Sequence, residues 1–487
     1  QPVGSVEEMP QQHGDRLSAV DASFLAQEGP TSHMHIGGVT IFEGPVPEFE
    51  DFCRLLRSRL HLVPRYRQKL AFPPMGTGRP MWVDDPTFNL EYHLRQTALP
   101  PPGSEEQLLN LVSRIFSQQL DRSKPLWEMW VVEGLEDGRF ALISKTHHAL
   151  IDGVSGVDLA TVLFDLTPVP REVEHPGDAW RPNPEPTGAE LLAKGVQGLV
   201  RTGLRVAERT VEAATHPERS LASGRDALEG VGDIAWAVAN PAPETPLNVE
   251  IGPHRRFVGV RNELSDFRAV KAAFGTTVND VVLAVVAGAL RDWLRSRGVR
   301  TAGLELRALV PVSIRAQDER GEFGNRITVM RGPLPVYIAD PIARLTAVKQ
   351  AMDGLKESKQ AVGAEALAAA QDFAPPTILA QASRLNFSTR LFNMIVTNVP
   401  GPQFPLYVYG RELLDVFPVA FLPKRHALAV AIMSYNGHVN FGLLGDLDAL
   451  PDVDTIADGV REHLAELVRL AGETSGAASG APAPASA

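Results

Sequence analysis

The stretch from Pro168 to Pro246 constrains the fold of this chain more than any other feature. Prolines crowd its beginning (Pro168, Pro170, Pro176, Pro182, Pro184, Pro186) and its end (Pro241, Pro243, Pro246), so neither end can sit inside a regular helix or a central strand. On each side the pattern alternates between β-prone runs and helical periodicity. Upstream, His35 to Phe42, Trp127 to Leu135 and Arg139 to Thr146 read as strands. Glu48 to Leu60 and Glu105 to Leu120 read as helices, and a helical pattern resumes at Val157 to Leu166. Downstream, strands are expected at Arg255–Arg261, Leu304–Ile314, Ile327–Leu334, Met394–Asn398, Leu428–Tyr435 and Val439–Leu444. Helices are expected at Asp266–Phe274, Val278–Arg297, Pro341–Glu357 and Asp454–Leu470. This predicts an α/β (α+β) chain of two mixed halves, residues 15–170 and 248–471, joined by a crossover at 171–247. A flexible start (1–14) and a Ser/Gly/Ala/Pro tail (472–487) flank them. At 487 residues, two or three domains are the expected count.

Inside the crossover, Gly188 to Ala214 reads as an amphipathic helix. Leu192, Val196, Leu199, Ala207 and Val211 share one face; Lys194, Arg201, Arg205 and Arg209 line the other. It is either a linker helix with a solvated basic face or an interfacial helix drawn to anionic lipid.

Charge and cysteine usage exclude whole classes. With 47 Lys and Arg against 58 Asp and Glu, the net charge is −11, so the chain lacks the basic field that a nucleic-acid partner requires. Cys53 is the only cysteine; an intramolecular disulfide, a multi-thiolate zinc site and an iron–sulfur cluster are ruled out, and a reducing, cytoplasmic setting is expected. The polar start, with Glu7 and Glu8, does not read as a secretory signal. The most apolar run, Val281 to Leu290, is shorter than the ~18–20 residues of a spanning helix. Any membrane association is therefore expected to be peripheral.

Chemistry concentrates in His147-His148-Ala149-Leu150-Ile151-Asp152-Gly153, where a β-prone run ends in a loop. Adjacent strand residues point to opposite faces, so the two imidazoles diverge and one at most faces a given cavity. The same divergence, with no further ligand at usual spacing, argues against a metal site. A neutral imidazole can take a proton from a hydroxyl near physiological pH and return it to a leaving group. Asp152 can fix the loop through an arginine, and Gly153 permits a sharp exit. His147 and Asp152 also have the spacing of glycerol-phosphate acyltransferases, but no downstream E-G-T-R element follows. No G-x-S-x-G elbow, P-loop or complete dinucleotide fingerprint occurs. Cys53, inside a predicted helix, reads as a buried structural thiol. A histidine acting directly on a substrate hydroxyl is the chemistry that survives.

Several motifs together resemble the bacterial bifunctional wax ester synthase/diacylglycerol acyltransferase family, within the wider H-H-x-x-x-D-G superfamily. They are Leu17 to Leu25 with Met34 to Gly38, Pro125-Leu126-Trp127, Asn279-Asp280, Pro311 to Arg315 with Gly324-Asn325, and Asn398 to Pro402, spread over Leu17 to Leu470. The resemblance implies two chloramphenicol-acetyltransferase-like domains with a tunnel between them. Long-chain acyl-CoA would enter one mouth and a diacylglycerol or fatty alcohol the other. It implies His148 as general base, His147 as an orienting residue, and Asp152 in a salt bridge for which Arg315 is the candidate. Acyl-CoA would be a substrate; no cofactor or metal is implied. Asn279 and Asp280 either close the site from the second half or cap the helix that follows. Trp127 is either a packing anchor or a substrate contact, the anchor being favoured. The implied location is cytoplasmic, peripheral on the inner face of the plasma membrane or at a lipid-droplet surface. Two rival readings stand beside this one: a condensation or polyketide-associated transferase using a carrier-protein thioester, and a non-catalytic lipid-binding protein.

Overall fold

The strands of the first half form where apolar residues alternate or run continuously. Each is short enough to need neighbours on both sides. In the computed structural model, which describes residues 15–76, 78–150, 162–170, 180–194, 196–197, 240–313, 327–357 and 387–479, β1 (His35–Phe42), β4 (Leu94–Ala98), β5 (Trp127–Glu133) and β6 (Phe140–His147) lie in one sheet. A small hairpin-like pair, β2 (Gln68–Ala71) and β3 (Met81–Asp84), stands apart. Helices α1 (Ala19–Gln27), α2 (Phe49–Arg59), the single turn α3 (Leu90–His93) and α4 (Glu105–Phe116) cover them. Ser104 and Gln107 close a capping box at the start of α4.

The second half holds β7 (Arg255–Glu263), β8 (Leu306–Ser313), β9 (Ile327–Leu334), β10 (Met394–Pro400), β11 (Tyr407–Val408), β12 (Arg411–Val419), β13 (Leu428–Tyr435) and β14 (His438–Asp446). Its helices are α5 (Leu264–Phe274), α6 (Val278–Ser296), α7 (Pro341–Glu357) and α8 (Val453–Ser479). Helix α6 is the hub: every residue from Val281 to Leu290 is buried, with α7 and α8 packed against it. That run is therefore a core helix. Among the described residues no single helix is long and apolar enough to cross a membrane.

The division at the crossover is not clean. The first sheet runs β11-β12-β1-β6-β5-β4 and the second β7-β14-β13-β10-β8-β9, so two strands encoded after residue 400 complete the first-half sheet. The boundaries 15–170 and 248–471 are corrected accordingly. Contiguous ranges cannot describe a strand that pairs Val419 with Gly37 and Val416 with Thr40. Where β12 passes the second sheet the backbones nearly touch: a Cβ on Gly442 would fall 1.9 Å from the Pro418 carbonyl oxygen, so only glycine fits.

Helix α4 stitches the halves from the other side. Ser113 on α4 and Ser117 at its C-cap accept hydrogen bonds from the backbone N–H groups of Phe257 (2.9 Å) and Arg255 (2.9 Å) on the edge strand β7, satisfying donors that an edge leaves open. The crossover is described at 180–194, 196–197 and from 240. Asn183 bonds Asp84 (2.8 Å) and Lys69 pairs with Glu185 (3.2 Å). Residues 188–194 and 196–197 are helical, with Leu191 buried; the remainder of the expected helix, 198–214, lies outside the described residues. The closing helix runs to Ser479 rather than Leu470, into the segment read as tail, because no proline interrupts it before Pro482. Residues 1–14, 157–161 and 480–487 lie outside the described residues; the rest of the helical pattern expected at 157–166 is helical only at 162–163.

Candidate active site

The two histidines sit where β6 ends. His147 is its last residue and pairs across the sheet with His35 on β1; His148 opens a 3-10 turn, His148–Leu150. Their backbones are fixed by short bonds. The His147 N–H donates to Leu126 O (2.9 Å), within the P-L-W segment, and the His148 N–H to Met34 O (2.9 Å). Met34 holds this position at φ 51°, a left-handed conformation unusual for a side chain of its size.

The rings then diverge. His147 is buried, and its Nδ1 accepts the Ala149 N–H at 3.0 Å. That bond leaves Nδ1 unprotonated and puts the proton of the neutral ring on Nε2. Nε2 lies 3.5 Å from Glu28 Oε2 and finds no closer partner among the described residues. The His148 ring turns instead into an aromatic cluster. It stacks on Phe24 (centroids 3.9 Å, 23°) and meets the edge of Phe421 at 5.5 Å. Phe387 completes the cluster, 5.7 Å from Phe24 and 5.8 Å from Phe421. Phe24 comes from α1 and Phe421 follows β12, so the ring lies at the seam of the two halves. Ser32 ties that seam by donating to Leu422 O at 2.8 Å.

The aromatic setting governs the protonation state of His148. Burial, and secondarily the neighbouring His147, pull its pKa down to about 4, so the imidazole is neutral and able to accept a proton at physiological pH. Its Nδ1 is buried without a hydrogen-bond partner among the described residues, yet the residue as a whole stays partly exposed.

The remaining candidates divide into three groups. Asp152, Gly153 and Arg315 lie outside the described residues, as do Gly324 and Asn325. Asn279 and Asp280 begin α6. Asp280 Oδ2 accepts the Thr277 N–H (2.8 Å) and Thr277 Oγ1 accepts the Asp280 N–H (3.1 Å), a capping box; Asp280 Oδ1 is buried without a partner among the described residues. The Asn279 amide oxygen faces the Asn398 side chain at 3.5 Å, which joins the N-D and N-V-P-G-P segments in space. Trp127 is buried, stacks on His93 at 4.7 Å and donates from Nε1 to Tyr66 O at 2.8 Å. Cys53 is buried in α2, where burial pushes its thiol pKa up. Glu28, Phe24, Phe387 and Phe421 were not singled out from sequence. The four-residue spacing of Phe24 and Glu28 was a signal available for the first pair; nothing local marks the other two.

Two clefts of about 390 and 340 Å³ open elsewhere on the first half. The larger lies between β4, β5 and α4, lined by Leu99, Leu111, Arg114 and Trp130 among others; the smaller is lined by Arg95, Gln118 and Glu128 among others. Neither includes His148.

Comparison with known proteins places this arrangement. The family model of the wax ester synthase/diacylglycerol acyltransferase catalytic domain matches residues 17–282, and that of the C-terminal domain of the same family matches 323–468. A probable diacylglycerol O-acyltransferase, tgs1, of Mycobacterium tuberculosis is 35% identical over 460 residues, 94% of this chain and 96% of the relative. The solved wax ester synthase/diacylglycerol acyltransferase from Marinobacter aquaeolei VT8 superposes with a TM-score of 0.66 at 31% identity, covering 94% of this chain and 100% of that one. The first condensation domain of the calcium-dependent antibiotic synthetase shares the fold at 16% identity, with a TM-score of 0.56 over 95% of this chain and 97% of its own. The chain thus belongs to the wax ester synthase/diacylglycerol acyltransferase family of enzymes.

Proposed function

We propose that this chain moves a long-chain acyl group from acyl-CoA to the hydroxyl of a diacylglycerol or fatty alcohol, with His148 as general base. The observation that carries the reading is the placement of the His148 ring at the seam of the two halves, stacked on Phe24 and edge-on to Phe421, in a residue that stays partly exposed. The ring takes the hydroxyl proton as the alcohol oxygen attacks the thioester carbonyl, and a tetrahedral oxyanion forms. The C–S bond then breaks, the ester leaves, and the CoA thiolate takes the proton from the imidazolium. A ring whose charged form is disfavoured by burial makes a strongly acidic imidazolium, suited to that second transfer; the adjacent oxyanion offsets the cost of forming it. No acyl-enzyme is needed, and acyl-CoA serves as substrate, without a resident cofactor. In this reading His147 orients the turn, Asp152 and Arg315 fix the following loop, Gly153 gives it its exit, and Asn279 with Asn398 stands on the second wall.

The test is purified protein with palmitoyl-CoA and either hexadecanol or a diacylglycerol, following thiol release and ester together. His148→Ala is expected to lower turnover by about 10²–10⁴-fold with folding intact; retained turnover sinks the assignment. Activity with an acylated carrier protein alone, or acyl-chain binding without thiol release, would favour the two rival readings.

The enzyme is further proposed to work at the surface of a lipid phase. Phe72 and Met75, 52% and 86% exposed, stand on the loop between β2 and β3, where Gly188, the first residue of the basic-faced segment, lies beside Pro74. Co-flotation with anionic vesicles should weaken in a Phe72→Ser, Met75→Ser double variant; undiminished flotation would remove this loop from the contact.

A further inference from the structure

Helix α1 presents two side chains, one turn apart, to the two histidines. Phe24 and Glu28 are four residues apart and share a face. Phe24 stacks on His148, and the Glu28 carboxylate lies 3.5 Å from His147 Nε2. The Glu28 side chain is only 3% exposed, and the carboxylate also receives the Nε–H of Arg122 at 2.6 Å. Neither burial nor helix position favours this placement. A buried carboxylate costs free energy unless it is paired, and Glu28 is the C-cap of α1, the helix end at which negative charge is disfavoured. Arg122 compensates, and also donates to Leu25 O at 3.0 Å. The carboxylate oxygen that Arg122 binds, Oε2, also faces the His147 imidazole N–H, while Oε1 lies 3.8 Å from His35 Nε2.

We infer that Glu28 is a positioning residue for the catalytic turn: it holds His147 in its Nε2–H form, so that Nδ1 stays free to receive the Ala149 N–H and keep His148 seated against Phe24. The chain of contacts is continuous, from the Arg122 guanidinium through the Glu28 carboxylate and the His147 ring to the backbone of Ala149, the residue after the base. His147 with its ring reversed would put a donor on Nδ1 and turn the Ala149 N–H away. The turn would then move by a fraction of an ångström to an ångström, enough to cost about 10²-fold in rate. Burial pushes the Glu28 pKa up, but His147 and Arg122 outweigh it and hold the carboxyl below its ordinary value, so the charge is present throughout the neutral range.

This inference rests on His148 being the base, and its test separates the two. Wild-type turnover together with loss in His148→Ala tests the base; Glu28 is tested by a double-mutant cycle with His147. Glu28→Leu is expected to lower kcat by about 10²-fold, and Glu28→Gln, which keeps an acceptor without the charge, by about tenfold, both with the KM for acyl-CoA unchanged. Single-turnover thiol release reads losses of up to about 10⁴-fold, the span expected of a misplaced base. On a His147→Ala background neither Glu28 variant should lower kcat further, because a residue acting through His147 has nothing left to act on. The same fold-loss on both backgrounds, a change confined to KM, or wild-type kcat in a folded Glu28→Leu protein would overturn the inference. Should Glu28→Leu fail to fold, the Glu28→Gln arm of the cycle decides alone, by the same criterion.

Discussion

Lys145 and His147 lie two residues apart on the same face of β6, both buried, and their surroundings differ in one respect. All three donors of the Lys145 ammonium are used: Ile115 O at 2.8 Å, Gln118 O at 2.7 Å and Glu128 Oε1 at 2.7 Å. Glu128 is in turn held by Arg95 at 3.3 Å. Around the histidines the satisfaction is incomplete: Nδ1 of His33, Nδ1 of His35 and Nδ1 of His148 are buried without a hydrogen bond among the described residues. A completed polar cluster fixes a structure, whereas an incomplete one is tolerated where chemistry requires free lone pairs and movable protons. The strand thus carries its anchor and, within four residues, the histidine proposed as the base.

The contrast can be broken most severely by acid. Burial is the leading cause of a lowered pKa at His33, His35, His93, His148 and His426, and three of these, His93, His148 and His426, fall to about 4. Such groups bind fewer protons folded than unfolded. Their contribution is therefore present above the unfolded value near 6.5 and lost as pH falls toward 4. At about 1.4 kcal/mol per pH unit for each fully buried ring, with partly exposed His148 contributing least, the loss between pH 7 and 5 should be on the order of several kcal/mol. Urea unfolding at the two pH values measures it, and a flat profile would show that these imidazoles are not held neutral by the fold. A smaller effect sharpens the other side. Lys145→Met leaves Glu128 buried with Arg95 alone and should lower stability by about 3–5 kcal/mol, while turnover per folded molecule persists. Unchanged stability would mean that water reaches Glu128.

Much of this was legible because periodicity is local. β1, β9 and β13 fall on the residues expected for them, as does α7, and the H-H pair announced itself at a strand end. What escaped was decided at long range. β12 was hidden by Asp415 and Pro418 inside its run, residues that argue against a sheet interior; it is accepted because its outer neighbour is only the two-residue β11. α1 is short and carries Asp21 and Ser23 among its apolar residues, and its tertiary packing, not its pattern, supports it. The clustering of Phe421 and Phe387 around His148 joins positions more than 200 residues from it, which no spacing rule reports.

The late arrival of β12 has a consequence for how the molecule comes into being. Until residue 419 has left the ribosome, β1 stands as a naked border of the first sheet, an invitation to stray pairing. For most of its synthesis the nascent chain must therefore carry an unfinished N-terminal half, and translation near its end supplies the piece that closes it.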